Sequence, residues 1–189
     1  MTAQKIGVFL SSHDQLPESY IQATRDVGRW IGATGRVLVY GGSRYGLMEV
    51  LAQAIKSAGG RVYGVVPQIV TERGKVSDCI DVEFRTADLT DRKAVIDQHS
   101  DLFVVLPGGI GTLDEVFTML GQVSIGISQK WVLLYDVDGC WSSLVALLDD
   151  LVTQGLVARE SLSRLAVVRS VAELEAAVAI AAGQNPEMP

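Results

Sequence analysis

The stretch Pro107-Gly108-Gly109-Ile110-Gly111-Thr112-Leu113-Asp114-Glu115 combines two kinds of chemistry. Its glycines let a backbone run close against a ligand. A helix opening just after them, at Thr112, offers unpaired N–H groups and a partial positive charge. That is an anion site, most often filled by phosphate. Glu115 then falls in the first turn of the same helix. Thr112 and Glu115 also have the spacing of a capping box, in which each side chain accepts from an otherwise unpaired N–H of the helix start. A carboxylate beside a phosphate cradle opposes phosphate binding for its own sake. It helps when another part of the ligand becomes cationic during reaction, as a ribosyl oxocarbenium ion does.

The elements that must position these residues follow from hydrophobic periodicity. Leu102 to Leu106 is an unbroken apolar run, the pattern of a strand buried on both faces of a parallel sheet. Further strands are expected at Lys5–Leu10, Arg36–Tyr40, Arg61–Val66, Asp81–Arg85, Lys130–Tyr135 and Leu165–Val168. Helical patterns lie between them: from Pro17, from Leu47 to a stop at Gly59-Gly60, Asp88–His99, Trp141–Val152 and Val171–Ala181. Alternating strands and helices predict an α/β fold, a Rossmann-like doubly wound sheet, mostly parallel, with helices on both faces. Residues 1–182 read as one nucleotide-binding domain and 183–189 as a loose tail. Gln68 to Cys79 has weak periodicity and reads as a mobile loop, a lid over the end of the sheet.

Ligands of open parallel sheets bind outside the carboxyl ends of the strands. Three expected strand exits carry polar or glycine-rich loops: Ser11-Ser12, Gly41 to Gly46, and Pro107 to Gly111. A tight strand-to-helix turn would explain Gly41 to Gly46 alone. Two such loops in matching positions favour a nucleotide-like ligand. A dinucleotide dehydrogenase does not fit, because the first exit is Leu10-Ser11-Ser12-His13, without GxGxxG, and the second strand ends at Tyr40-Gly41 rather than at an acidic residue. A Walker A loop is absent as well. His13 and His99 are isolated, which argues against a metal centre, and no cofactor is expected.

Composition bounds the rest. The chain has 189 residues, 48% hydrophobic and 20% charged, enough for one domain with a sizeable core. A net charge of −6 without a long basic run disfavours nucleic-acid binding, so any phosphate must be held locally. Cys79 and Cys140 lie far apart with no CxxC, which suggests reduced thiols in a cytoplasmic protein. Ile6 to Leu10 is too short for a signal core or a membrane span.

At this point a resemblance enters. PGGIGTLDE matches the PGGxGTxxE signature of the Lonely Guy (LOG) family, cytokinin riboside 5'-monophosphate phosphoribohydrolases, many of them once labelled lysine decarboxylase-like. GVFLSS resembles the family's opening strand and VYGGSRYGLMEVLAQA its VYGGGxxGLMGxxA stretch. ADLTDRKAVI resembles the MxxRKxxM segment, and VDGCWSSLVALLDDLVTQGLV a later run.

The resemblance implies that Arg92 and Glu115 are catalytic. It implies that Gly108, Gly109, Gly111 and Thr112 cradle the phosphate, and that Gly41, Gly42, Gly46 and Met48 line the nucleotide pocket. Ser12 and Lys93 are expected at the substrate too. Read without the resemblance, Arg92 is a solvated helix-face charge beside Lys93. The implied reaction is hydrolysis of a nucleoside 5'-monophosphate to free base and ribose 5-phosphate, in a homodimer. Arg92 is expected to keep Glu115 ionised. A related architecture occurs in molybdenum cofactor carrier-like proteins, so a non-catalytic binder of a phosphorylated ligand is the alternative. Some positions depart from the family: Leu89 and Ile96 replace its methionines, Thr90-Asp91 stands where His-Glu is common, and Glu49 follows Gly-Leu-Met in place of glycine. These positions shape the base pocket or the subunit contact.

Overall fold

The central strand-forming runs in this chain are apolar at successive positions, so they belong where both faces are covered. The computed structural model, which describes residues 4–183, places them so. The elements are β1 (Lys5–Phe9), α1 (Glu18–Ala33), β2 (Val37–Tyr40), α2 (Gly46–Ser57), β3 (Arg61–Pro67), α3 (Gln68–Glu72), β4 (Val82–Thr86), α4 (Leu89–His99), β5 (Leu102–Val105), α5 (Ile110–Ser124), β6 (Val132–Tyr135), α6 (Ser142–Thr153), β7 (Leu165–Val168) and α7 (Val171–Ala181). The seven strands form one sheet in the order β4-β3-β2-β1-β5-β6-β7. Every pairing is parallel; Ile6 stands opposite Leu38 on one side and Leu102 on the other. The expected tail lies outside the described residues except for Gly183.

The sheet divides the core in two. Ile6, Val8 and Leu10 face one layer, built with Val27 and Ile31 of α1, Leu47, Leu51 and Ile55 of α2, and Leu174 and Val178 of α7. Phe9, Phe103 and Val105 face the other, with Ile96 of α4, Val116 and Met119 of α5, and Leu148 of α6. Phe9 and Phe103, on adjacent strands, stack with ring centroids 5.2 Å apart. Helix α1 lies hard against α2: a Cβ on Gly28 would come within 2.7 Å of the Ala54 Cβ, and one on Gly32 within 2.7 Å of the Ala58 Cβ. No described helix is long and apolar enough to cross a membrane.

Strand order reverses between β1 and β5, since successive connections run outward from β1 to β4 and then return to β5 beside β1. A crevice opens at such a switch point, because the loops leaving its two strands head to opposite faces. The loops in question are the exit of β1 and the Pro107–Gly109 turn.

Three expectations need correction. The Gln68–Cys79 segment is not a free lid. It starts with α3, then runs antiparallel to the exit of β2, where Ser77 N–H donates to the Gly42 carbonyl and Arg44 N–H to the Lys75 carbonyl, both at 2.9 Å. Arg44 also pairs with Asp78 at 2.6 Å. Helix α5 opens at Ile110, not Thr112, with Gly109 as its N-cap. Thr112 is therefore the third helical residue, Glu115 lies in the second turn, and no capping box forms. The glycines of this turn let the backbone enter the helix early. Finally, a 3-10 turn at Arg159–Leu162, where no element was expected, packs beside α5.

Candidate active site

The three glycine-rich or polar exits meet at the switch point through backbone contacts. Ser11 N–H donates to the Pro107 carbonyl at 3.1 Å, and Leu106 N–H to the Phe9 carbonyl at 3.0 Å. The loop after β2 reaches the same place through Gly46. Its φ is +59°, and a Cβ there would lie 2.5 Å from the Ser12 carbonyl carbon and 2.7 Å from the His13 nitrogen. Only glycine permits that approach. Gly46 N–H also donates to the Asp14 carboxylate at 2.8 Å.

These contacts leave a cleft of about 320 Å³. Ser11, Ser12 and His13 enter it from the exit of β1, Met48 from α2, Arg92 from α4, and Gly109, Gly111, Thr112 and Glu115 from the start of α5. The first intrahelical bond of α5 runs from Leu113 N–H to the Gly109 carbonyl at 3.0 Å. The N–H groups of Ile110, Gly111 and Thr112 precede it and have no helical partner, which makes this end an anion site. Gly109 and Gly111 have no atom within 4 Å of where a Cβ would stand, so the backbone is open on that side. Gly108 is closed in by the Thr112 side chain.

One turn deeper along α5, about 6 Å from Gly111 along the axis, lies Glu115. It is 3% exposed, and its Oε1 accepts from Arg92 Nη2 at 2.6 Å. Burial raises the Glu115 pKa to about 7; the positive charge of Arg92 pulls the other way and Asp114 adds a smaller upward push. Arg92 therefore does not keep Glu115 well ionised, as the sequence suggested, because desolvation outweighs the ion pair. Arg92 Nε is buried without a partner among the described residues, so the guanidinium has a donor unspent. Its position depends on Gly41, where a Cβ would come 3.0 Å from Arg92 Nη1 and 3.3 Å from Met48 Cε.

Not every expected residue reaches the cleft wall. Lys93 turns to α5, where its Nζ donates to both oxygens of Asp114 at 2.8 Å. Gly41 backs Arg92 from behind. Gly42, at φ +74°, packs against Val66 and Ile80, and Gly46 holds the exit of β1 in place. Of the departures, Ile96 is core, Leu89 is 55% exposed, Thr90 is exposed, and Asp91 accepts from the Ala87 N–H at 3.1 Å. Glu49 accepts from the Gln53 amide at 3.1 Å while its other oxygen is buried without a described partner. Sequence reasoning named the Ser11-Ser12 exit but missed His13 as a cleft residue. Its only signal was a polar exit on a strand whose place at the switch point could not be read from the chain.

Comparison with known proteins bears on this arrangement. The family model described as possible lysine decarboxylase matches residues 48–178. Cytokinin riboside 5'-monophosphate phosphoribohydrolase LOG3 of Arabidopsis thaliana is 35% identical over 154 residues, 82% of this chain and 72% of that protein. LOG4 of the same plant is 36% identical over 153 residues, 81% of this chain and 71% of that one. Among solved structures, the molybdenum cofactor binding protein from Rippkaea orientalis superposes with a TM-score of 0.73 at 25% identity, over 94% of this chain and 96% of that one. The extent of these matches shows that the chain belongs to the Lonely Guy family, the group whose model is described as possible lysine decarboxylase.

Proposed function

We propose that this chain hydrolyses the N-glycosidic bond of a nucleoside 5'-monophosphate, AMP or a cytokinin riboside 5'-monophosphate, to free base and ribose 5-phosphate. The observation that carries the proposal is the buried Arg92–Glu115 pair, set one turn beyond the open N-terminus of α5. The phosphorylated end of the substrate is held by the N–H groups at Gly109–Thr112, with Gly108 shaping the turn and Ser12 reaching from the exit of β1. That binding places the ribose over Glu115. As C1' gains positive charge, the Glu115 carboxylate stabilises it and takes a proton from the attacking water. Its pKa of about 7 suits a group that must both accept and release a proton near neutral pH. Arg92 orients the carboxylate and offers its spare donors to the phosphate or a ribose hydroxyl. Met48 bounds the nucleoside side, and the Gly41–Gly46 loop supports Arg92 and the exit of β1 from behind. Lys93, engaged by Asp114, steadies α4 against α5.

The working form in this reading is a homodimer in the cytoplasm, folded as one domain over residues 1–182. Ile110, which lines the cleft, Phe117 two turns further along α5 and Ile125 at the far end of that helix are exposed apolar side chains. A second copy would cover them. A carrier role accounts for the anion cradle but leaves the buried carboxylate without a task.

The experiment is direct. The purified protein is incubated with AMP, other nucleoside monophosphates, an N6-isopentenyladenosine monophosphate and the matching nucleosides, and base and ribose 5-phosphate are separated by chromatography. Release from monophosphates and not from nucleosides is expected, and the relative rates rank the bases. A cytokinin nucleotide at the head of that ranking would place the enzyme in cytokinin activation. A phosphorylated ligand recovered intact and tightly bound, with no release from any substrate, would favour the carrier.

A further inference from the structure

Glycosidic cleavage has two proton demands. Water must lose a proton as it adds to C1', and the departing base must gain one, because a purine anion is a poor leaving group at neutral pH. Among the described residues whose side chains line the cleft, three are ionisable: His13, Arg92 and Glu115. Arginine does not release its proton in a protein. Glu115 serves the water side, deep in the cleft. His13 stands apart from it, on another element and exposed at the rim. Imidazole is the side chain best suited to giving up a proton near neutral pH.

The backbone under His13 is fixed from two sides. Its N–H donates to Ser11 Oγ at 3.0 Å, and its nitrogen and carbonyl oxygen pack on Gly46, where no Cβ could fit. Asp14, the next residue, ties the same turn to α2 through Gly46 N–H at 2.8 Å. The ring therefore swings from a set point over the cleft mouth. In the proposed binding mode the phosphate sits at Gly109–Thr112 and the ribose over Glu115, and the base is assigned to the remaining wall of the cleft, where Ser12, His13 and Met48 stand.

We propose that His13 is the acid of the reaction, donating its proton to a ring nitrogen of the departing base. The proposal rests on the phosphoribohydrolase reading above. As the bond between C1' and the base nitrogen breaks, its electron pair passes to the base, and the base takes the proton of the His13 imidazolium. Water adds to C1' and gives its proton to the Glu115 carboxylate. Solvent at the open rim reprotonates His13 while Glu115 releases its proton, so the sum is nucleotide plus water to base plus ribose 5-phosphate.

The test uses leaving groups of different need. His13→Ala and His13→Gln are compared with the unaltered protein on AMP and on 4-nitrophenyl ribofuranoside 5-phosphate, whose nitrophenolate departs without protonation. Loss of roughly 10²-fold in kcat on AMP is expected, with a much smaller loss on the nitrophenyl substrate and partial recovery of His13→Ala by added imidazole. Equal loss on both substrates, or full activity of both variants on AMP, would overturn the role of His13 while leaving the enzyme reading intact. Absence of base release by the unaltered protein would remove both. His13 is exposed, so neither variant disturbs the core.

Discussion

Arg92 Nη2 lies 2.6 Å from Glu115 Oε1, yet the carboxyl it faces is pushed up to about 7. An exposed carboxylate beside a guanidinium would move the other way. Here the cost of burying the charge exceeds what one cation returns, and the pair is left poised between its charged and neutral forms. A substrate that gains positive charge beside it would tip that balance towards the carboxylate.

Activity should follow this poise. With Glu115 ionised as the proposed base, kcat/KM should rise with pH up to about 7 and fall about tenfold per unit on the acid side. Glu115→Gln should lose about 10³-fold or more in turnover while still binding AMP by calorimetry. A glutamine variant with ordinary turnover would show that the carboxylate is not the catalytic group.

Stability should depend on pH through the same residue. The folded pKa of Glu115, about 7, is raised above the ordinary glutamate value of 4.5. Between those values the folded state keeps a proton that the unfolded chain has given up. The resulting stabilisation is complete below the lower value and is lost as pH rises through the higher one, a change of about 3 kcal/mol. Glu115→Gln lacks this titration. Urea denaturation of both proteins at about pH 5 and about pH 8 should therefore show the variant gaining relative stability at the higher pH. Parallel behaviour of the two proteins would contradict the raised pKa.

Two glycines of the cleft should fail in different ways. Gly46→Ala puts a side chain at φ +59° into the backbone of Ser12 and His13. A loss of about 1–3 kcal/mol in stability is expected, with activity impaired through the displaced exit of β1. Gly111→Ala meets no atom within 4 Å and sits inside a helix, so folding should be unharmed. Its methyl group would crowd a phosphate at the helix start, raising KM for monophosphates. Thermal melts and steady-state kinetics on the two variants separate these outcomes; an unchanged KM for Gly111→Ala would move the phosphate elsewhere.

The exposed apolar side chains of α5 give a prediction on assembly. Phe117 is 44% exposed and lies on the helix that carries Glu115. Phe117→Asp should convert a dimer to a monomer in light scattering without unfolding it, since Phe117 belongs to neither core cluster. A native protein that is already monomeric would refute the dimer.

Much of the architecture was legible in the chain because it is written in local patterns. Apolar runs such as Leu102–Val105 admit only a doubly covered strand, and the glycine-rich turn before α5 admits only a helix start with open N–H groups. Those signals depend on neighbours within a turn or a strand, so periodicity and turn chemistry suffice to read them. The bounds of β5 and the start of α5 came within two residues, and β7 and α7 as expected.

Other features were settled only when distant segments met. Arg92 reads as a surface charge until α4 lies beside α5 and brings it to Glu115. His13 reads as an isolated histidine until β1 takes its place at the switch point and its exit faces the start of α5. The segment after α3 reads as loose until Ser77 and Lys75 pair with the exit of β2. The raised pKa of Glu115 belongs to this group as well, since desolvation depends on everything packed around the carboxylate. Local sequence determines what each element is. The company each side chain keeps is decided by tertiary packing, because charge, burial and reach are properties of the assembled neighbourhood and not of the residue.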